Sequence, residues 1–321
     1  MARAILAKLA CAAALVALAA AAAAQNYPAR PVKIVVPYPP GSLPDQIARV
    51  VSTKLHERFG QPFLVDNRSG ALGTVGTTEV ARSAPDGYTF LLTTNTTQAA
   101  NVALFKDLQY DPVKDFAPVV VIAKTSMILL VKPDFPAQTL KGFIAYARSK
   151  NGQLSAGYGS AGAQVSIAKL KAGGKFETLD VPYKGVPLAV TDVLSGQVNF
   201  TFADFAVSLA QIRGGKLKGI AVTSAQRTPL APEIPAIAEE LPGFETVLWY
   251  GLVAPAGTPR TIVNQVYEAT VAGIADPQVT SRFAGFGVDV APMNPDEMGA
   301  YIKSEIAKWS KEAKQSGIQP Q

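Results

Sequence analysis

Residues able to do chemistry are scarce in this chain: 321 residues include one histidine, His56, and one cysteine, Cys11. A Ser-His-Asp relay needs its histidine in a cleft, but His56 falls about 130° from the centre of its helix's apolar stripe at 100° per residue, on a solvated face. Metal sites built from His and Cys are excluded by the count, and no Asp-x-Asp-x-Asp-Gly loop offers a calcium site. No spacing singles out a carboxylate pair among the 24 acidic residues. No metal or cofactor is therefore expected, and binding without catalysis is the economical reading.

What remains is two segments, 33–45 and 154–164, that each read as strand, small-residue loop and helix start. Such junctions aim unpaired backbone N–H groups and the positive end of a helix dipole outward, which suits an anion. In the first, Ser42 is placed to cap the helix, Pro44 fits a first-turn position, and Asp45 completes a Ser-x-x-Asp capping box. Capping competes with ligand contact for the same amides, and Gly41, by stripping bulk from the loop, favours contact. Tyr38 offers a hydroxyl or a flat apolar wall. In the second, Gly159, Ser160, Gly162 and Ala163 allow close approach of backbone to ligand, or form a plain flexible turn. Neither P-loop nor dinucleotide spacing is present. Thr94, Asn95 and Thr96 follow a strand and supply neutral donors or a solvated turn. Asp204 also follows a strand and either accepts from a ligand ammonium, hydroxyl or water, or simply caps helix 205–212.

The elements that must position these residues follow from periodicity. Strands are expected at 32–36, 63–65 and 88–93 with helices at 44–59 and 74–82, a βαβαβ series typical of an open, mostly parallel sheet covered by helices. Two adjacent apolar runs, 119–123 and 127–131, have no helix between them, so the chain can pass there into another sheet. The pattern then restarts with strands at 154–157, 198–202 and 217–222 and helices at 140–148, 165–172 and 188–195. A long β-rich run at 247–254 reads as the return crossing, before helical patterns at 258–274 and 295–314. Two crossings imply a discontinuous lobe, 25–124 plus 250–321, and a second lobe, 125–249, with a hinge and cleft between them. Both loops would face that cleft, where ligands of open α/β sheets bind.

The first 24 residues carry Arg3 and Lys8, an Ala/Leu-rich run and an Ala22-Ala23-Ala24 cleavage site, and are read as a signal peptide. A retained membrane helix is the competing reading. Cleavage would leave about 297 residues without cysteine, enough for two cores. The remaining 28 basic and 24 acidic residues give a net charge near +4. It is scattered, without a basic stripe, which argues against nucleic acid.

Residues 27–38, Tyr-Pro-Ala-Arg-Pro-Val-Lys-Ile-Val-Val-Pro-Tyr, resemble the mature opening of the TctC/Bug family, extracytoplasmic receptors of tripartite tricarboxylate transporters. The likeness continues at Val65-Asp66-Asn67-Arg68-Ser69-Gly70-Ala71-Leu72-Gly73, Ala84-Pro85-Asp86-Gly87-Tyr88-Thr89, Val181-Pro182-Tyr183-Lys184-Gly185 and Gly251-Leu252-Val253-Ala254-Pro255-Ala256-Gly257-Thr258-Pro259. It implies a type II periplasmic-binding-protein (Venus flytrap) α/β fold, with mixed, mostly parallel sheets and helices on both faces. It implies a periplasmic protein that holds a small organic carboxylate through backbone N–H groups and water, and delivers it to a two-component membrane carrier; a monomer is expected. The site carried over would be Tyr38, Gly41, Ser42, Leu43, Pro44 and Asp45, with Gly159, Ser160, Ala161, Gly162, Ala163 and Gln164. Two departures from the family pattern matter: Ser42 replaces a usual glycine, and Gln164-Val165-Ser166-Ile167 replaces a usual Ser-Pro-x-His, so ligand identity does not carry over. The alternatives are a sensory protein that docks on a receptor kinase when loaded and a periplasmic hydrolase.

Overall fold

The computed structural model describes residues 27–321, so the expected signal peptide lies outside the described residues. The first unit begins with β1 (Val32–Val36), α1 (Leu43–Phe59), β2 (Phe63–Asn67), α2 (Thr74–Ala81) and β3 (Thr89–Thr94). β1 lies between β2 and β3, parallel to both. Every β1 side chain but Lys33 is fully buried, with Ile34 and Val36 in one cluster and Val35 in another across the sheet. This accounts for an unbroken apolar run where a one-faced strand would alternate. Each such side chain contributes about 1.5–3 kcal/mol on burial. α1 turns Ile47, Val50, Val51 and Leu55 inward and stops at Gly60, whose φ of 72° is the left-handed conformation glycine tolerates. His56 is exposed, as its helical phase requires.

After β3 the chain makes a buried π-helical turn, Thr96–Ala100. β4 (Phe116–Thr125) then gives way after the single residue Ser126 to β5 (Met127–Val131), which belongs to the second sheet. That sheet also takes β6 (Leu154–Tyr158), β7 (Thr178–Pro182), β8 (Phe200–Asp204) and β9 (Lys218–Val222), in the order β7-β6-β8-β5-β9. Its helices are α3 (Leu140–Ser149), α4 (Ala161–Gly174), α5 (Val186–Ser195) and α6 (Phe205–Arg213). β10 (Leu248–Pro255), buried along its whole length, returns to the first sheet. α7 (Arg260–Ile274), α8 (Pro277–Gly285), β11 (Asp289–Met293) and α9 (Pro295–Gln315) follow. The first sheet's order is β11-β4-β10-β3-β1-β2. α9 docks through Glu305, a buried carboxylate that accepts from the indoles of Trp249 (3.1 Å) and Trp309 (2.9 Å).

The sheets are mixed, but the expectation that they are mostly parallel needs correction. β10 and β11 run antiparallel to β4, β10 to β3, and β5 to both β8 and β9. A parallel connection needs a crossover element; β4 runs straight into β5 and β10 comes back from the other sheet, so the crossing strands oppose their neighbours. The crossing is tied by side chains that stand in for missing ladder bonds. Thr223 Oγ1 accepts from Met127 N (2.9 Å) and donates to Thr246 O (2.8 Å), while Thr125 Oγ1 donates to Gly287 O. Among the described residues no helix is long and apolar enough to cross a membrane.

Candidate functional site

A cavity lies where the carboxyl ends of the parallel strands of the two sheets face each other. β1 and β3 are neighbours, so their exits abut: the Tyr38 hydroxyl is 2.9 Å from Thr94 Oγ1. From the other sheet, β6 and β8 are neighbours and deliver Gly159, Ser160 and Asp204. The crossing strands enter from the opposite direction, Tyr250 in register with Thr94 and Met127 with Asp204. Ser42, Pro44, Asn95, Thr96, Val186 and Leu248 complete the lining. The cavity measures about 30 Å³, so the site is a narrow slot.

Nine of the residues expected from sequence line this slot: Tyr38, Ser42, Pro44, Thr94, Asn95, Thr96, Gly159, Ser160 and Asp204. The others sit behind it. Leu43 is core. Asp45 faces its own loop, where Gly41 N (2.9 Å), Asn67 Nδ2 (3.0 Å) and Arg49 bind its carboxyl. Burial by itself would raise that carboxyl; the Arg49 guanidinium and the Gly41 and Asn67 donors outweigh it and hold it below its ordinary value. Gly41 has φ +80° and open space where a Cβ would be, so its role is the turn and not the removal of bulk. Ala161, Gly162 and Ala163 form the first turn of α4, and Gln164 is half-buried with its Oε1 unpartnered. Met127, Val186, Leu248 and Tyr250 were not anticipated. They lie within apolar strand and helix runs, and only the antiparallel return of β5 and β10 brings three of them to the slot.

The two helix starts differ. The capping box expected at Ser42 does not form: its hydroxyl donates to Pro39 O (2.7 Å), and no side chain caps α1. The Ser42 hydroxyl is consumed by the preceding turn, which leaves the α1 first-turn amides without a side-chain acceptor. In α4, Ser160 Oγ accepts from Ala163 N (3.2 Å), and Thr96 Oγ1 reaches across from the other sheet to accept from Ala161 N (3.2 Å). The Gly162 amide has no hydrogen-bond partner among the described residues. Gly159 is demanded by space: a Cβ there would lie 2.1 Å from the Gly185 carbonyl carbon.

No lysine, arginine or histidine is among the lining residues. Burial pushes the Asp204 carboxyl up to about 6, against the lowering effect of backbone amides, the Val207 amide at 3.2 Å foremost. Burial also raises the Tyr38 and Tyr250 phenols, and the Asp204 charge adds to the rise at Tyr250. Neither hydroxyl is a base near neutral pH; both are neutral hydrogen-bonding groups. Asn95 Nδ2 is a buried donor without a partner. The slot thus combines neutral donors, one buried acid and apolar walls. It holds no pairing of a nucleophile with a base. Among the described residues no group of three or more His, Cys, Asp or Glu could hold a metal ion.

The family model described as "Tripartite tricarboxylate transporter family receptor" matches residues 47–318. A protein from the tcbD-tcbE intergenic region of a Pseudomonas species is 36% identical over 291 residues, covering 89% of this chain and 86% of its own. An R. palustris structure with adipate superposes with TM-score 0.89 at 34% identity, over 92% of this chain and all of that one. MatC from Rhodopseudomonas palustris with bound malate gives TM-score 0.84 at 32% identity, over 89% of this chain and 99% of that one.

Proposed function

Since the chain belongs to the tripartite tricarboxylate transporter receptor family, a family of periplasmic solute-binding proteins with the Venus flytrap fold, we propose that it grips its carboxylate in the slot between its two sheets and hands it to a membrane carrier. It is a transport receptor and not an enzyme. In this reading the described residues of 25–124 together with 250–321 make one lobe and 125–249 the other, and the protein acts as a monomer that docks on a two-component carrier when loaded. The ligand residues are those lining the slot, together with the amides that open α1 and α4.

The observation that carries this reading is the composition of the slot: hydroxyls, an unpartnered amide donor and helix-start N–H groups from both sheets, with no cation. A carboxylate loses its hydration on entry and needs every lone pair satisfied. Fixed neutral dipoles supply that without the desolvation cost a buried arginine would bring. Without a salt bridge to lock it in, the ligand leaves readily when the lobes part, as transfer to a carrier requires. The relatives solved with adipate and malate support a small organic acid as the ligand class.

Calorimetry against a panel of mono-, di- and tricarboxylates and their amides tests this. At least one acid binds and its amide does not. Ser160→Pro, which removes an N–H and distorts the loop, weakens that binding tenfold or more, about 1.4 kcal/mol. Unchanged affinity in that variant would remove the second loop from the site.

A further inference from the structure

Asp204 does more than capping explains. It ends β8 inside the slot and is 5% exposed, and its partners are the backbone amides of its own helix start, with Oδ1 accepting from Val207 N at 3.2 Å and the Asp204 and Ala206 amides also bearing on the carboxyl. No side chain donates to either oxygen among the described residues. Capping α6 does not need an acid, since asparagine or serine caps equally well without burying a charge. A buried carboxylate without a counter-charge is costly unless something supplies the missing donor. No lining residue is a cation, so the protein does not supply it.

The residues that the six-stranded sheet brings to the slot have the opposite character. Asn95 Nδ2 is buried and unpartnered, and Tyr250 brings a neutral phenol to the same lining. Donors thus face the slot from the six-stranded sheet and an acceptor faces it from the five-stranded one. The complement of that pattern is a molecule with a carboxylate and, a few bonds away, a hydrogen-bond donor.

We infer that Asp204 is a specificity-determining residue that accepts a hydrogen bond from an ammonium or hydroxyl group on the bound acid, so that the receptor prefers amino or hydroxy carboxylates to the same acids lacking that group. The inference rests on the carboxylate reading above and adds a ligand class to it. A second ligand carboxylate placed at Asp204 would meet a like charge in a low-dielectric slot. An ammonium placed there completes an ion pair, and a hydroxyl completes a hydrogen bond.

The test is isothermal titration calorimetry at pH 8 with matched sets: alanine, lactate and propionate; aspartate, malate and succinate; 4-aminobutyrate, 4-hydroxybutyrate and butyrate. Within the set that binds, the ammonium or hydroxyl member is expected to bind at least tenfold tighter than the member with hydrogen at that position. Asp204→Ser and Asp204→Asn both keep the cap, and thermal unfolding confirms that each is folded. Asp204→Ser brings the ratio towards one for both donors; Asp204→Asn abolishes the ammonium advantage while leaving part of the hydroxyl one. A ratio near one in the wild type, or an unchanged ratio in both variants, overturns the assignment and leaves the carboxylate reading intact. If no carboxylate in any set binds, the carboxylate reading falls and the assignment falls with it.

Discussion

Asp204 illustrates how a buried acid burdens the fold that carries it. Its carboxyl titrates at about 6 in the native protein against an ordinary 3.8, because burial disfavours the charged form. Between those pH values the folded state holds the proton more tightly than the unfolded chain, so stability is greatest below about 4 and falls as pH rises towards 6. Above that the full penalty applies, about 3 kcal/mol at 1.36 kcal/mol per pH unit. Asp204→Asn keeps the cap and removes the charge. It should therefore gain stability over the wild type as pH is raised from 4 to 7, by up to that amount, and show no gain at pH 3.5. Urea unfolding of both proteins across this range measures it, and a difference that is flat with pH would refute it.

At the scale of elements, the junction from β6 into α4 is where local sequence and tertiary contact meet. Gly159 lies against the Gly185 backbone, which opens α5, so β6 and α5 can approach only without a side chain there. Gly159→Ala forces backbone against backbone; it should cost about 1–3 kcal/mol in unfolding free energy and also displace Ser160 from its place in the slot lining, which denaturation and calorimetry on one sample would register together. The glycine-rich run announced the close approach but not its partner, which is 26 residues on. The same limit applies elsewhere. β1, α1 and the β4 to β5 crossing were legible because buried strands and an amphipathic helix leave strong apolar periodicity. β7 and β11 were not: Thr-Leu-Asp-Val-Pro and Asp-Val-Ala-Pro-Met lie at sheet edges, are partly exposed and contain proline, as edge strands permit. Tyr250 escaped notice for another reason. Within β10 it looks like any strand aromatic, and only its register opposite Thr94 brings it to the slot.

For the molecule as a whole, the narrowness of the slot points to lobes that are nearly shut, and two contacts run across the mouth. One is the bond from Ala161 N to Thr96 Oγ1; the other is the packing of the Pro39 ring against Gly185. A Cβ at Gly185 would lie 2.5 Å from Pro39 Cδ, while its nearest neighbour in its own lobe is Pro187 Cδ at 3.8 Å. Its φ of 179° is extended backbone that alanine adopts freely. Gly185→Ala therefore adds a clash that exists only when the lobes are closed and vanishes when they part. Because a ligand shifts the equilibrium only by its differential affinity for the two states, the variant should bind its carboxylate about tenfold more weakly, near 1.4 kcal/mol. Its ligand-free unfolding free energy should stay within about 0.5 kcal/mol of the wild type, as for a surface change. Small-angle scattering with saturating ligand should show a larger radius of gyration for the variant than for the wild type. Equal affinity and equal compactness would mean that closure tolerates a methyl group at this contact, and that the grip on the ligand does not depend on how tightly Pro39 and Gly185 meet.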